Sequence, residues 1–121
     1  MLKLETVADL QRLISEEIKE SLTLDYKASP ALGKADKQRD ELCKDVTAFA
    51  NSAGGQIVYG MVEDKHVPTK VDEGADPSIT KEWLEQVIDS RVQPRIEGLI
   101  ITPIQLGKRL GFVLTIPQAT S

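Results

Sequence analysis

Residues 45–60 read DVTAFANSAGGQIVYG, and the fold turns on how this stretch is parsed. Val46, Phe49 and Ala50 recur at helical spacing, Asn51 to Gly55 break the period, and Gln56-Ile57-Val58-Tyr59 resume as an apolar run. A helix therefore enters a strand through a double glycine. One reading makes Gly54-Gly55 a phosphate cradle, because closely spaced backbone N–H groups suit anions. Chain order opposes it: phosphate loops run from strand through glycine to helix, whereas here the helix comes first. The other reading, which we favour, has Gly54 or Gly55 adopt positive φ to end the helix and turn the chain into a core strand. Gly33-Lys34 offers no Walker motif either, since Ala35 stands where Ser or Thr is required and Ala28 replaces the upstream glycine. The segment is therefore not an ATPase.

The helix extends back to about Asp36 through Leu42, and QIVYGMV (56–62) reads as a buried strand. Upstream, SLTLDYK (21–27) has period two, with Leu22, Leu24 and Tyr26 on one face and Thr23, Asp25 and Lys27 on the other. SPALGKADKQ (29–38) is a loop interrupted by Pro30 and Gly33. Thr6-x-x-Asp9 resembles a capping box and opens an amphipathic helix over 7–18. Asp76-Pro77 offers an N-cap and a first-turn proline for a third helix that carries Trp83 and stops before Pro94. Two apolar runs, 96–106 and 109–117, flank Gly107-Lys108 as an antiparallel hairpin with Pro103 at a bulge or edge. The predicted order is αβαβαββ. This is an α/β domain of the α+β kind: a single compact unit over 1–121, with a mixed sheet and a C-terminal β-hairpin packed by helices. The chain stops just after its last strand, which reads as the N-terminal part of a longer protein.

With 121 residues, 40% of them apolar and 28% charged, the chain can bury one core. No apolar run approaches the roughly 20 residues of a membrane span, the N-terminus lacks a signal peptide's apolar stretch, and a cytoplasmic location is expected. Cys43 is the sole cysteine, so neither an internal disulfide nor a cysteine zinc cluster can form, and its spacing from Val46 and Ala50 gives it a partly buried helix position. The net charge of −4 disfavours unspecific binding to nucleic acid, so any such surface is a local patch. Residues 26–60 carry five basic and four acidic side chains, residues 1–25 three and six.

The groups that carry chemistry begin on the SLTLDYK strand. Alternation puts Asp25 and Lys27 on one face, the carboxylate and ammonium that metal-dependent nucleases pair to hold Mg²⁺ or Mn²⁺ and to offset phosphate charge. An exposed strand ion pair is the commoner origin of the same pattern. Glu20, at the exit of the first helix, converges with Asp25 if the chain turns before Leu22. Asp64, with Glu63 as the alternative, would supply a third ligand from the end of the QIVYGMV strand. Lys34, Lys37, Arg39 and Lys44 could grip a phosphate backbone, although Asp36, Asp40, Glu41 and Asp45 interleave with them as on a solvated helix face with pairs such as Asp40–Lys44. His66 has no second histidine nearby and reads as a surface-loop residue. Five aromatic residues (one Trp, two Tyr, two Phe) give little support for base stacking on exposed rings, because Phe49, Trp83 and Phe112 lie on core stripes.

Taken together, ESLTLDYK (20–27), CKDVTAFANSAGGQIVYGMVED (43–64) and VQPRIEG (92–98), followed by a hairpin ending in TIPQATS, resemble the Schlafen AlbA-type domain, once grouped with divergent AAA ATPases. The resemblance implies a nucleic-acid partner, DNA or RNA, and a place near the N-terminus of a transcriptional regulator. It also implies, from relatives with RNase activity, a divalent-metal site of three carboxylates, matched here by Glu20, Asp25 and Asp64 or Glu63. Asp25 replaces the commoner Glu, and relatives that cleave RNA carry paired copies. The first functional reading is a binding module in which Lys27, Lys34, Lys37 and Arg39 contact phosphates. The second is an endonuclease with Glu20, Asp25 and Asp64 on Mg²⁺ or Mn²⁺ and Lys27 assisting water. The third is a protein-interaction domain that forms a homo-oligomer.

Overall fold

The computed structural model describes residues 1–119, and Thr120 and Ser121 of the TIPQATS stretch lie outside them. Three helices, α1 (Val7–Ser15), α2 (Asp36–Ala50) and α3 (Lys81–Arg91), surround six strands: β1 (Leu24–Lys27), β2 (Gly55–Tyr59), β3 (Met61–Asp64), β4 (Val67–Val71), β5 (Ile100–Gln105) and β6 (Leu110–Ile116). The principal sheet has the order β1-β2-β6-β5. It is mixed, since β1 runs parallel to β2 while β6 is antiparallel to both β2 and β5. The predicted αβαβαββ order runs through this sheet and the helices; the β3–β4 hairpin is an addition inserted after β2.

Side-chain alternation divides the core between the two faces of that sheet. On one face Ile57, Tyr59, Phe112, Leu114 and Ile116 meet Leu42, Val46 and Ala50 of α2 and Leu84, Val87 and Ile88 of α3. On the other, Leu24, Tyr26, Val58 and Val113 meet Leu10 and Leu13 of α1 and Met61 of β3. Phe112 is fully buried and Phe49 and Trp83 are partly so, all packed in the first cluster as their spacing predicts. Pro103 lies on β5, an edge strand, where a missing N–H is tolerated.

The double glycine does the packing work. Gly54 has φ +74°, its N–H bonds the Phe49 carbonyl at 2.9 Å, and a Cβ there would lie 2.6 Å from the Ile116 carbonyl oxygen. Backbone therefore passes where a side chain would stand. Gly60, at φ +118°, makes the second joint: QIVYGMV is not one strand but two, β2 in the principal sheet and β3 in the hairpin.

Two other boundaries differ from the sequence reading. α1 stops at Ser15 instead of Ile18 because Glu17 takes a left-handed φ of 50°. α3 starts after Thr80, whose hydroxyl accepts the Trp83 N–H at 3.0 Å, while Asp76 closes a separate turn onto Ser78. Two serviceable caps stand four residues apart, and the chain uses the second for the helix. Among the described residues, no helix is long and apolar enough to cross a membrane.

Candidate functional site

Parity on β1 sends Leu24 and Tyr26 into the α1 side of the core, so Asp25 and Lys27 point toward α2. There the Lys27 ammonium lies 3.1 Å from Asp25 Oδ2 and 3.6 Å from Oδ2 of Asp45, a carboxylate from α2. Burial alone would lower the Lys27 pKa, but its hydrogen bonds and charge interactions with the two aspartates outweigh burial and raise it. Asp45 moves up as well, chiefly through burial, with Lys27 only partly offsetting that cost. The shorter contact marks Asp25 as the principal partner and Asp45 as the second.

Glu20 stands at the far side of Asp25. The left-handed turn at Glu17 redirects the chain, and the Glu20 N–H bonds the His66 carbonyl at 2.9 Å, fixing it beside the β3–β4 turn. Its Oε2 accepts the Tyr26 N–H at 2.9 Å, and its Oε1 lies 2.7 Å from His66 Nδ1. Glu63 Oε2 accepts the His66 N–H at 2.7 Å. Glu20, only 14% exposed in its side chain, thus ties β1 to the hairpin. Burial first, then the adjacent Asp25 carboxyl, raise its pKa against the opposing hydrogen bonds from Tyr26 and His66. The His66 pKa is also raised, mainly by its hydrogen bond to Glu20. These two shifts oppose one another. The Tyr26 N–H fixes Oε2 of Glu20 as an acceptor, and the 2.7 Å contact between Oε1 and His66 Nδ1 holds one proton between carboxyl and imidazole. Below it, the Tyr26 hydroxyl donates to the Ile18 carbonyl at 2.6 Å, and burial pushes its pKa up to about 12.

Glu20, Glu63 and His66 each offer a ligand atom within 4.8 Å of the others, two carboxylate oxygens and an imidazole nitrogen. This donor set fits a divalent ion of the Mn²⁺ type, since carboxylates accept either Mg²⁺ or Mn²⁺ while imidazole suits transition metals. Of the predicted ligands, Glu20 and Asp25 come together. Asp64 does not join the group: it is exposed at the end of β3, opposite Val67. The register slips between Val62 and Glu63, the local effect of a bulge that re-aims a side chain, and the neighbouring Glu63 enters instead.

The predicted phosphate contacts are mostly engaged elsewhere. Lys27 is held by two aspartates, Arg39 pairs with Asp36, and the Lys34 ammonium lies 5.7 Å from the centre of the Trp83 ring. Lys37 is exposed and makes no ion pair among the described residues. Asp40 pairs with Arg91 of α3 at 2.5 Å, not with Lys44.

The family described as Schlafen, AlbA_2 matches residues 20–121. The chain belongs to this family. The AlbA_2 match opens on Glu20, the residue that joins β1 to the hairpin. Among solved structures, this AlbA_2 chain is similar to the N-terminal domain of an ATP-dependent DNA helicase RecG-related protein from Nitrosomonas europaea. The TM-score is 0.63 at 21% identity, covering 90% of this chain and 72% of that one. It is also similar to the DIP2311 protein from Corynebacterium diphtheriae, with a TM-score of 0.59, 15% identity and coverage of 95% and 26%. At these identities the likeness is one of fold. No curated protein matches.

Two residues of the cluster in this AlbA_2 domain escape sequence reasoning. Asp45 lay hidden among alternating charges on α2, and only the packing of α2 over β1 brings it to Lys27. His66 forms the β3–β4 turn with Lys65, three residues after Glu63, and its partner Glu20 is 46 residues away in sequence.

Proposed function

We propose that this domain acts on nucleic acid as a divalent-metal-dependent nuclease, with its working centre where Glu20, Asp25, Lys27, Glu63 and His66 meet. The observation that carries the proposal is the 4.8 Å convergence of two carboxylates and an imidazole, with the Asp25–Lys27 pair alongside. Glu20, Glu63 and His66 would hold the ion, and Mn²⁺ suits them better than Mg²⁺. A divalent ion there supplies Lewis acidity and a water of lowered pKa. In this reading Asp25, beside Glu20, would accept a proton from water, and the Lys27 ammonium would offset charge on a phosphate oxygen. Similarity to a domain of a DNA helicase-related protein supports a nucleic-acid partner. Titration with Mn²⁺ should broaden the His66 imidazole resonances, and structured RNA should then be cleaved. Unbroadened signals at saturating metal, or cleavage undiminished in Glu20→Gln, would refute the nuclease.

A second reading is favoured by one feature: each charged group already has a protein partner, Lys27 with Asp25 and Asp45, Glu20 with His66. In that reading the site is a salt-bridged scaffold and the domain is the DNA- or RNA-binding module of a transcriptional regulator, with Lys34, Lys37 and Arg39 on phosphates. It predicts binding that weakens steeply with salt, without cleavage. Reversing the charge at Lys34, Lys37 and Arg39 without any change in affinity would eliminate it.

A further inference from the structure

A cleft of about 250 Å³ opens between the end of β1, the 3₁₀ turn Ser29–Ala31 and the side of α2 that carries Gln38, Glu41, Leu42 and Asp45. Ala31, Leu42 and Tyr59 line it together with the charged Lys37, Glu41 and Asp45, and Lys27 is shared with the site described above. Tyr59 is 1% exposed, and its hydroxyl, closed off from solvent, has no hydrogen-bond partner among the described residues. A buried hydroxyl left unpaired is costly, and native proteins satisfy such groups with protein, water or ligand. Burial, and after it the charges on Asp45 and Asp25, raise the Tyr59 pKa, so the hydroxyl keeps its proton and can donate.

We infer that this cleft receives one unpaired nucleobase of a strand whose backbone lies at Lys27, the Tyr59 hydroxyl donating to an acceptor on the base edge. The inference rests on the nucleic-acid reading above and adds to it a substrate class, single-stranded or looped nucleic acid. A base has a flat apolar face and an edge of donors and acceptors. The cleft can match both, with Ala31 and Leu42 as apolar lining, the Tyr59 hydroxyl as a donor once the base parts the side chains over it, and the Glu41 and Asp45 carboxylates as acceptors for exocyclic amines. Its volume falls below that of pockets for drug-sized ligands, about 300–1,000 Å³, which suits a single ring system. A base inserted here also needs no exposed aromatic platform, which the chain lacks: its exposed large apolar side chains are all aliphatic.

The test uses the ¹⁵N-labelled chain with short single-stranded RNA and DNA of one mixed sequence and with the matching duplexes. Single strands should shift the amides of Ala31, Gln38 and Leu42, duplexes should not, and the RNA and DNA arms report which sugar is preferred. Tyr59→Phe should weaken single-strand binding by about 3–10-fold, the value of one hydrogen bond, with no loss of stability. Ala31→Trp, at an exposed rim position, should block the cleft and provides the same readout if Tyr59→Phe fails to fold. If single strands bind while the cleft amides stay still and both variants bind like the parent chain, the inference is overturned and the nucleic-acid reading stands. If neither single strands nor duplexes bind, both fall.

Discussion

Replacing Lys27 with methionine tests the electrostatic arrangement on which the site depends. The substitution keeps most of the alkyl stem but removes the ammonium from between Asp25, 3.1 Å away, and Asp45, 3.6 Å away. Two carboxylates then face each other without a counter-charge. Breaking an exposed pair costs about 0–1 kcal/mol and a fully buried one about 3–5 kcal/mol. The three side chains retain 30%, 27% and 28% exposure, so the cost should fall between these limits, about 2 kcal/mol near neutral pH. For an m-value of about 1.5 kcal/mol/M, the urea midpoint should drop by about 1.3 M. The pH dependence carries a definite sign. In the parent chain the Lys27 pKa is raised, so its contribution is present below the unfolded value of about 10.4 and is lost as pH rises through the folded one. In the variant Asp45, already raised by burial, loses the Lys27 charge that lowers it, so its folded pKa moves further above the unfolded value of about 3.9 and stability falls as pH rises beyond that. The deficit against the parent should therefore be small near pH 3.5 and complete near pH 7. Adding Asp45→Asn should restore part of it. A deficit below about 0.5 kcal/mol near pH 7, or one equal at both pH values, would refute the argument and assign Lys27 to packing.

Gly54→Ala should lower stability by at least about 2 kcal/mol, read as a fall in thermal midpoint, because the new Cβ meets two backbone atoms at a positive φ. Those atoms are the Ile116 carbonyl oxygen at 2.6 Å and the Gln118 nitrogen at 2.7 Å, and an unchanged midpoint would remove the glycine turn from the account of the fold. His66 is the only histidine, so one imidazole titration can be followed by NMR, and its pKa should lie above the usual value of about 6.5. Its stabilising contribution is present below that unfolded value and lost as pH rises through the folded one. Glu20→Gln should return it to the ordinary range, and a parent value at or below about 6.5 would contradict the Glu20–His66 bond.

What the sequence disclosed of the fold was whatever local periodicity and turn chemistry determine. The stripe Leu42, Val46, Ala50 marked α2 because those positions are the ones it buries, and the double glycine marked the joint because backbone passes within side-chain distance of it. β4 escaped because Val67-Pro68-Thr69-Lys70-Val71 has a proline and no clean alternation, and its partner β3 looked like the tail of β2. A glycine between two apolar runs is equally consistent with a continuous strand and with a hinge between sheets. Only the contacts at Gly60 decide, where its carbonyl takes the Asp72 N–H at 2.9 Å and its N–H bonds the Lys27 carbonyl at 2.8 Å.

The same division between local and distant information runs through the site. Glu20, Asp25 and Lys27 are close in sequence, so one turn and one strand parity suffice to bring them together. The remaining members depend on the inserted hairpin. Left-handed residues at Lys65 and His66 turn it tightly, and the slip between Val62 and Glu63 exchanges which acid faces Glu20. That exchange alters the chemistry as well as the membership. A set of Glu20, Asp25 and Asp64 would present three negative charges to a metal, whereas Glu20, Glu63 and His66 present two and a nitrogen that ligates only when unprotonated. The Glu20 hydrogen bond that orients His66 also raises its pKa, so the contact that builds the site makes protons compete with metal near neutral pH. In the proposed nuclease, a trio of carboxylates would surrender its ion only in acid, whereas the Glu20, Glu63 and His66 set would do so where its histidine titrates.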